Sequence, residues 1–361
     1  MKSMKIEGKY CQLEIGSILN GGFQDFLKAF ENQQILILVD ENTHDYCLEY
    51  LITSFPELER AEIMLLPCGE ENKVMEVCFQ VWQAFTEYGV GRKDLVINLG
   101  GGVVTDMGGF IASIYKRGLS FIHVPTSLLG MVDAAIGGKN GIDLNGYKNQ
   151  LGTITQPNRV FIDTGFLSTL PAEEIFNGYA EMLKHALIGD SELWEQIRHI
   201  QSEEELIQED VVVKSIRVKT NIIEQDPLEG GLRKKLNFGH TIGHALESYF
   251  LQSTPISHGH AVALGMIAES YLSMKRGMLS KEVYKDIEGT IIRSFPMITL
   301  NADDVSVVIS LMYQDKKNVA GEIRSCLLEG VGTCVYDQAL NEDEIGESLF
   351  HLTLLHSTQI N

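Results

Sequence analysis

Four of the ten histidines lie within 21 residues of the second half of the chain, at positions 240, 244, 258 and 260. If the segment around Thr241 is helical, His240 and His244 share one face, since residues four apart lie above one another on a helix. Imidazoles that converge in this way suit either two metal ligands or one ligand beside an acid–base group. The spacing leaves both interpretations open.

An upstream carboxylate could complete this set. Glu181 and Lys184 are three residues apart and would share a helix face, among the apolar residues Tyr179, Met182 and Leu183. A carboxylate and a lysine at this spacing usually form a modest surface ion pair. The apolar neighbours instead favour partial burial, which makes a functional role more credible.

Glycine-rich segments of the first half could hold an anion. Gly100-Gly101-Gly102 follows a strand-like run and precedes a segment that can start a helix, where backbone amides could meet a pyrophosphate. A tight turn explains three glycines equally well. Residues 137–141 and 146–150 bring two lysines and two amides together, as a phosphate or carboxylate site would, or as two surface loops would. Asp40-Glu41-Asn42 could contact a ribose or adenine, or cap a helix.

The sequence contains two kinds of secondary-structure pattern, and the elements that they predict must position these residues. The first half alternates apolar strands with helices, which predicts a mostly parallel sheet covered on both faces. Beyond Pro171, long amphipathic segments predict a helical half. We place the boundary near residues 164–171, giving domains 1–168 and 169–361. The predicted strands are 35–39, 62–66, 95–99, 121–124 and 159–163, with a helix within 73–88.

Composition narrows the class of protein. The 361 residues carry a formal charge of −20, which argues against binding of nucleic acid or an anionic membrane. We find no apolar run long enough to span a bilayer and no signal-peptide core at the start, so we expect a cytoplasmic protein. The six cysteines form no C-x-x-C pair and indicate reduced thiols.

Many of these residues fall into ordered blocks. The blocks are Gly100-Gly101-Gly102-Val103-Val104-x-Asp106, Tyr115-x-Arg117-Gly118, Pro125-Thr126-x-Leu128-Leu129, Val132-Asp133, Gly137-Gly138-Lys139, Lys148-Asn149, Ala180-Glu181-x-x-Lys184, Gly231-Leu232-Arg233, Leu236-Asn237-Phe238-Gly239-His240-Thr241-x-Gly243-His244, His258-Gly259 and Asp315-Lys316-Lys317. In this order they resemble the 3-dehydroquinate synthase family, from about Asp40 to Gly332.

The resemblance implies an α/β N-terminal domain that binds NAD, Rossmann-like with a mostly parallel sheet, and an all-α C-terminal domain. It places the active site in the interdomain cleft of a subunit that forms a homodimer. The family converts an anionic sugar phosphate, 3-deoxy-D-arabino-heptulosonate 7-phosphate, to 3-dehydroquinate and phosphate in the shikimate route to aromatic amino acids. The steps are transient oxidation by NAD, phosphate elimination, reduction, ring opening and aldol closure.

Residue roles follow from the same resemblance. One divalent metal, Zn²⁺ with Co²⁺ as the alternative, is assigned to Glu181, His240 and His258, while His244 contacts substrate or transfers a proton. The NAD side comprises Asp40, Asn42, Glu70, Lys73, Gly101, Gly102, Asp106, Thr126, Ser127, Lys139, Lys148 and Thr169. The substrate side comprises Asp133, Lys148, Asn149, Lys184, Lys219, Arg233, Asn237, Lys316 and Lys317, with Arg117 contributed by a neighbouring subunit.

The chain departs from the family pattern at a few positions. His260 replaces the usual glutamate of His-Gly-Glu, which leaves open whether it competes for the metal, and Asn140 replaces the usual threonine of Gly-Gly-Lys-Thr. The principal alternative function is that of another sugar-phosphate cyclase, an inosose or valiolone synthase. A metal-dependent polyol dehydrogenase and a catalytically inactive binding protein are more distant possibilities.

Overall fold

The computed structural model describes residues 3–145, 147–200, 202–251, 253–314 and 322–359. Two compact units are present. The first runs to Ile175 and includes Ile207–Ile216, and the second comprises Phe176–Leu206 and the chain from Arg217 onward.

The first unit is built on a seven-stranded sheet in the order β1-β2-β9-β6-β5-β3-β4, in which only the edge pair β1–β2 is antiparallel. The described residues of this unit form the sheet strands and a separate hairpin, β7–β8: β1 (Met4–Glu7), β2 (Gln12–Ile15), β3 (Ile35–Asp40), β4 (Glu62–Leu66), β5 (Leu95–Gly100), β6 (Ser120–Pro125), β7 (Lys139–Leu144), β8 (Tyr147–Ile154) and β9 (Arg159–Ile162). The helices are α1 (Gly22–Lys28), α2 (Glu41–Thr43), α3 (Glu49–Ser54), α4 (Met75–Glu87) and α5 (Gly102–Ile114).

The central strands explain why the sheet is parallel. Every residue of β5 is buried, as are the first five of β3, which is the burial expected of strands covered on both faces. The five predicted strands and the helix within 73–88 all form, and the predicted mostly parallel α/β half is confirmed.

Of the segments predicted as glycine-rich loops at 137–141 and 146–150, residues 139–141 and 147–150 instead lie in the antiparallel hairpin β7–β8. Packing overrides their loop-like composition. Ile142 is fully buried in the core beside α5, and Asn140 donates through Nδ2 to the carbonyls of Gly138 at 3.0 Å and Thr155 at 2.9 Å. A Cβ on Gly109 of α5 would lie 2.0 Å from Asn140 Oδ1, so glycine leaves the space that this amide fills.

The second unit is helical, as predicted, with one addition. Strands β10 (Ile323–Gly330) and β11 (Thr333–Leu340) form an antiparallel hairpin, so this half is not purely helical. Both the amphipathic periodicity and the all-α domain that the family resemblance implies are therefore corrected here, because neither indicates these two strands. The helices from Ala172 onward are α6 (Ala172–Gly189), α7 (Ser191–Ile197), α8 (Glu203–Leu206), α9 (Glu209–Gln225), α10 (His240–Phe250), α11 (His258–Lys275), α12 (Lys281–Ser294), α13 (Ala302–Gln314) and α14 (Glu342–Gln359). Across the described ranges, none of the helices is both long and apolar enough to cross a membrane.

A buried histidine makes the stability of the sheet depend on pH. His123 on β6 lies opposite Asn98 on β5, and its Nδ1 accepts a hydrogen bond from Asn98 Nδ2 at 3.1 Å. Burial lowers the pKa of His123 to about 3. The imidazole is therefore neutral in the folded protein at pH values where it is protonated in the unfolded chain.

We predict that His123→Gln removes one acid-sensitive contribution to stability. Between pH 6.5 and 3 the unfolded wild-type chain binds the extra proton, so wild-type stability falls by at most about 1.4 kcal/mol per pH unit from this group. Urea denaturation at several pH values should therefore show the stability difference constant above pH 7 and shifting towards the variant below pH 6.5. A difference independent of pH would contradict the prediction.

Candidate metal and cofactor sites

Close helix packing in the second unit brings α6, α10 and α11 together. A Cβ on Gly265 of α11 would lie 1.9 Å from the carbonyl oxygen of Gly239, which precedes α10. A Cβ on Gly259, at the start of α11, would lie 2.2 Å from the carbonyl oxygen of Asn177 on α6. Neither position can accept a side chain without moving backbone, so these glycines set the separation of the helices.

Glu181 of α6 lies where the three helices meet. The residue is fully buried, and its Oε1 lies 3.5 Å from His240 Nε2 and 3.6 Å from His258 Nε2. Its Oε2 forms an ion pair with Lys184 Nζ, one turn later on α6. Two ligand atoms about 2.0–2.2 Å from a tetrahedral metal ion lie roughly 3.3–3.6 Å apart, so these spacings fit a metal held by one carboxylate and two imidazoles.

Hydrogen bonds at the far side of each ring orient both imidazoles. His240 Nδ1 donates to the carbonyl oxygen of Phe238 at 3.2 Å, and His258 Nδ1 donates to Glu247 Oε2 at 3.4 Å. Because carbonyl and carboxylate oxygens only accept, Nδ1 of each ring carries the donated proton. Both rings then present Nε2 towards Glu181. A carbonyl or carboxylate behind the ring is the usual arrangement for a metal-bound histidine.

The two carboxylates also favour positive charge at His258. Burial on its own would lower the pKa of this imidazole, but Glu247 and Glu181 outweigh burial and raise the pKa to about 9. The electrostatics of the site therefore favour a cation next to Glu181.

His244 lies beside the same group. Its ring centre is 5.1 Å from that of His240 and 5.7 Å from that of His258, and one nitrogen from each of the three rings falls within 4.8 Å of the others. The structure thus brings together Glu181, His240, His244 and His258, to which the resemblance assigns metal binding, substrate contact or proton transfer. His260 points elsewhere, because its Nε2 lies 2.7 Å from the carbonyl oxygen of Pro296 and its ring stacks on Phe295.

Sequence reasoning missed two carboxylates that support this cluster. Glu247 holds His258, as described above. Glu269 of α11 is fully buried, and its two oxygens accept the N–H groups of Gly239 at 2.7 Å and Ile242 at 3.4 Å, which fixes the first turn of α10 and hence His240. Glu247 lies seven residues after His240, a helical spacing that could have indicated it.

A second cluster lies in the first unit. Lys73 is almost completely buried, and its Nζ lies 2.7 Å from Asp106 Oδ2 and 2.9 Å from Asn149 Oδ1. Glu70 Oε1 lies 3.7 Å from this ammonium and 3.6 Å from Lys148 Nζ. Burial would lower the pKa of Lys73, but Asp106 and Glu70 raise it, so the lysine stays charged.

The predicted turn at Gly100-Gly101-Gly102 ends β5 and begins α5, as expected. Gly101 is the N-cap residue, and within the described chain no side chain caps this helix and no acidic residue occupies its first turn. A Cβ on Gly101 would lie 3.1 Å from Ser127 Oγ. A glycine N-terminus with uncapped amides fits the phosphate of a dinucleotide.

Asp40 forms the helix cap that was the alternative to ribose binding. Its Oδ1 accepts the N–H of Thr43 at 2.7 Å, and Thr43 Oγ1 accepts the N–H of Asp40 at 3.0 Å. The remaining predicted cofactor-side residues lie as follows: Asn42 in α2, Thr126 just after β6, Lys139 at the start of β7, and Thr169 at the end of the 3₁₀ turn Thr164–Thr169.

Arg233 and Asn237 belong to one folded loop of the second unit. Asp226 accepts the N–H groups of Gly230, Gly231 and Arg233, and the Arg233 guanidinium donates to the carbonyl of Pro227 at 2.6 Å. Of the other predicted substrate-side residues, Lys219 is buried in α9, Asp133 lies in the π-helical turn Gly130–Ala134, and Arg117 lies in the turn after α5. Lys316 and Lys317 lie outside the described residues.

Family models match most of the chain. The description 3-dehydroquinate synthase N-terminal covers residues 63–177, and 3-dehydroquinate synthase C-terminal covers residues 178–318. A 3-dehydroquinate synthase of Parabacteroides distasonis is 41% identical over 334 residues, which are 92% of this chain and 94% of that protein. The chain belongs to the 3-dehydroquinate synthase family.

Solved structures extend the likeness to related cyclases. A 2-epi-5-epi-valiolone synthase from Streptomyces hygroscopicus, with NAD⁺ and Zn²⁺ bound, has a TM-score of 0.85 at 27% identity and covers 98% of this chain and 100% of that one. A 2-deoxy-scyllo-inosose synthase complexed with carbaglucose-6-phosphate, NAD⁺ and Co²⁺ has a TM-score of 0.84 and covers 97% of this chain and 100% of that one. At 22% identity, this second structure is evidence for the fold of the chain only.

We predict that Glu247→Ala weakens metal binding without unfolding the chain. Loss of a carboxylate behind a ligating histidine typically lowers metal affinity about 10–100-fold, because the ring loses its orientation and basicity. Competition with a coloured chelator measures this directly. Glu195→Ala, which removes an exposed carboxylate paired with Arg198, is the control and should bind metal as the wild type does. Equal affinity in both variants would contradict the role of Glu247.

Proposed function

We propose that this chain is a 3-dehydroquinate synthase, which converts 3-deoxy-D-arabino-heptulosonate 7-phosphate to 3-dehydroquinate and phosphate. The observation that carries the proposal is the convergence of His240 Nε2 and His258 Nε2 on buried Glu181, in a chain of this family. Three such ligands leave coordination positions for substrate oxygens, as in catalytic rather than structural metal sites.

Glu181, His240 and His258 would hold the divalent metal, for which we propose Zn²⁺ with Co²⁺ as the alternative. A metal bound there supplies Lewis acidity towards the substrate hydroxyl oxygens, which favours departure of a hydride. The chain's own part is electrostatic and positional: Phe238 and Glu247 orient the two rings, and Glu269 holds the turn that carries His240.

The chemistry that NAD⁺ would supply when bound is reversible acceptance of that hydride. We assign its phosphates to the uncapped N-terminus of α5 at Gly101 and Gly102, beside Ser127. The remaining cofactor-side assignments stay as the family resemblance implies them. The substrate requires cations for its carboxylate and phosphate, and we assign these to Lys148, Lys184, Lys219 and Arg233, so that a chain of net charge −20 still attracts an anion.

Proton movement is the task we assign to His244, which lies beside the proposed ligands. Once a neighbouring hydroxyl is oxidised to a ketone, the adjacent C–H is acidic, and elimination of phosphate needs mainly correct positioning, with the substrate phosphate itself able to take the proton. Asn149 and Asn237 would fix the substrate hydroxyls.

A second candidate is another sugar-phosphate cyclase, which the TM-score of 0.85 to a valiolone synthase favours over a polyol dehydrogenase. The deciding assay measures phosphate release from heptulosonate 7-phosphate, sedoheptulose 7-phosphate and glucose 6-phosphate. We expect release only from heptulosonate 7-phosphate, with no net NADH. Release only from another sugar phosphate would overturn the proposal, and net NADH would indicate a dehydrogenase.

The ligand assignment predicts a split among the histidines. His240→Ala and His258→Ala should lose stoichiometric metal, because each removes one of three ligands, whereas His244→Ala should keep metal and NAD⁺ but lose turnover. His260→Ala is the control and should keep metal, since its ring contacts Pro296. Elemental analysis and turnover of the four variants check this. A metal-free His244 or His260 variant would overturn the assignment.

The homodimer, the cytoplasmic location and the division of NAD and substrate binding between domains 1–168 and 169–361 are further parts of the proposal. The homodimer and the division of binding rest on the family resemblance, whereas the domain bounds and the cytoplasmic location are the expectations stated from the sequence.

A further inference from the structure

The β7–β8 hairpin carries Lys148 and Asn149 in an irregular stretch. The strands pair Ile142 with Leu151, and the next pair is Leu144 with Tyr147. One residue of β7, Asp143, therefore lies opposite three residues of β8. Bulges are common beside active sites because they redirect side chains from the regular strand direction.

Asp143 ties this bulge to a distant part of the first unit. Its Oδ1 accepts the N–H of Asn149 at 2.7 Å, while its own N–H donates to the carbonyl oxygen of Lys73 at 2.8 Å. Asn149 has a φ of 50°, in the left-handed region, which asparagine adopts more readily than most residues, and the contact with Asp143 holds its backbone there.

The side chain of Lys73 closes a ring of contacts. Its Nζ contacts Asn149 Oδ1 at 2.9 Å and Asp106 Oδ2 at 2.7 Å. The backbone of Asn149 is thus held by Asp143 and its amide by Lys73, while Asp143 and Lys73 are joined through their main chains. A displacement of Lys73 is therefore transmitted to Asn149 by two routes.

We propose that Asp143 is a positioning residue that couples NAD⁺ binding to substrate binding by joining Lys73 to Asn149. The inference rests on the proposed function, which assigns Lys73 and Asp106 to the cofactor and Lys148 and Asn149 to the substrate. A cofactor that orders Lys73 also orders Asn149 through Asp143. The second ligand then loses less conformational entropy on binding, which is positive coupling.

The test compares Asp143→Ala with Asp143→Asn and a matched control. The asparagine amide oxygen can still accept the N–H of Asn149, whereas alanine cannot. Asp94→Ala is the control, because Asp94 also accepts backbone N–H groups in the first unit, from Gly91 at 2.6 Å and Gln34 at 3.1 Å, away from this network. Thermal unfolding of each variant establishes that it folds.

The probe is a carbocyclic phosphonate analogue of the substrate, titrated calorimetrically into metal-loaded protein with and without saturating NAD⁺. We expect NAD⁺ to tighten analogue binding by the wild type and by Asp94→Ala. Asp143→Ala should lose on the order of 10-fold of that enhancement, the factor that corresponds to one lost hydrogen bond of a charged group. Asp143→Asn should retain most of it, and NAD⁺ affinity without the analogue should change little.

Any of four results would overturn the inference, of which three concern the variants: wild-type enhancement in Asp143→Ala, an equal loss in Asp94→Ala, or a loss in Asp143→Asn as large as in Asp143→Ala. Analogue binding by the wild type that is independent of NAD⁺ would also overturn it. Under any of these results, the wild type would still release phosphate from heptulosonate 7-phosphate. If the proposed function is wrong, the wild type releases no phosphate from this substrate.

Discussion

A fully buried carboxylate sets the conditions for the second unit. An ionised carboxyl group without partners in a protein interior is destabilising by several kcal/mol, so the surrounding elements must supply positive charge and hydrogen-bond donors. For Glu181 those partners are Lys184 on the same helix and two imidazoles from α10 and α11. The three helices are therefore arranged so that they supply the positive charge and hydrogen-bond donors that Glu181 requires.

The same requirement explains the glycines and the second buried carboxylate. Helices α10 and α11 can present their histidines to Glu181 only if they approach each other and α6 closely, which positions 239 and 265 permit between α10 and α11 and position 259 permits between α11 and α6. Glu269 then satisfies amide groups at the start of α10 that would otherwise lie buried without an acceptor. Stability and chemistry share these residues, since each contact that compensates a buried charge also orients a proposed ligand.

Sequence reasoning succeeded where a pattern is local. The buried strands β3 and β5 and the glycine turn before α5 are local apolar and glycine signals, and the structure contains them where they were expected. The clustering of His240, His244 and His258 was also visible in their spacing. Whether His244 ligates could not be decided from spacing, because two residues four apart on a helix face the same way whatever they bind.

Other features depend on contacts between distant parts of the chain. The β7–β8 hairpin has the composition of a loop, and it is strand because Ile142 and Asn140 pack against α5. The β10–β11 hairpin lies among helices, and the helical periodicity of the flanking segments gives no sign of these strands. Glu269 and Asp143 look like ordinary charged residues in the sequence, since their roles come from backbone amides that only the fold brings to them.

Asn140 of β7 packs directly against Gly109 of α5. Its amide oxygen occupies the space that a side chain on Gly109 would fill, so the conformation of Asn140 depends on glycine at 109. A methyl group at 109 evicts the amide, and the two carbonyls of Gly138 and Thr155 then lose their donor. The side chain at 140 is therefore constrained by the residue at 109, thirty-one positions away in the chain.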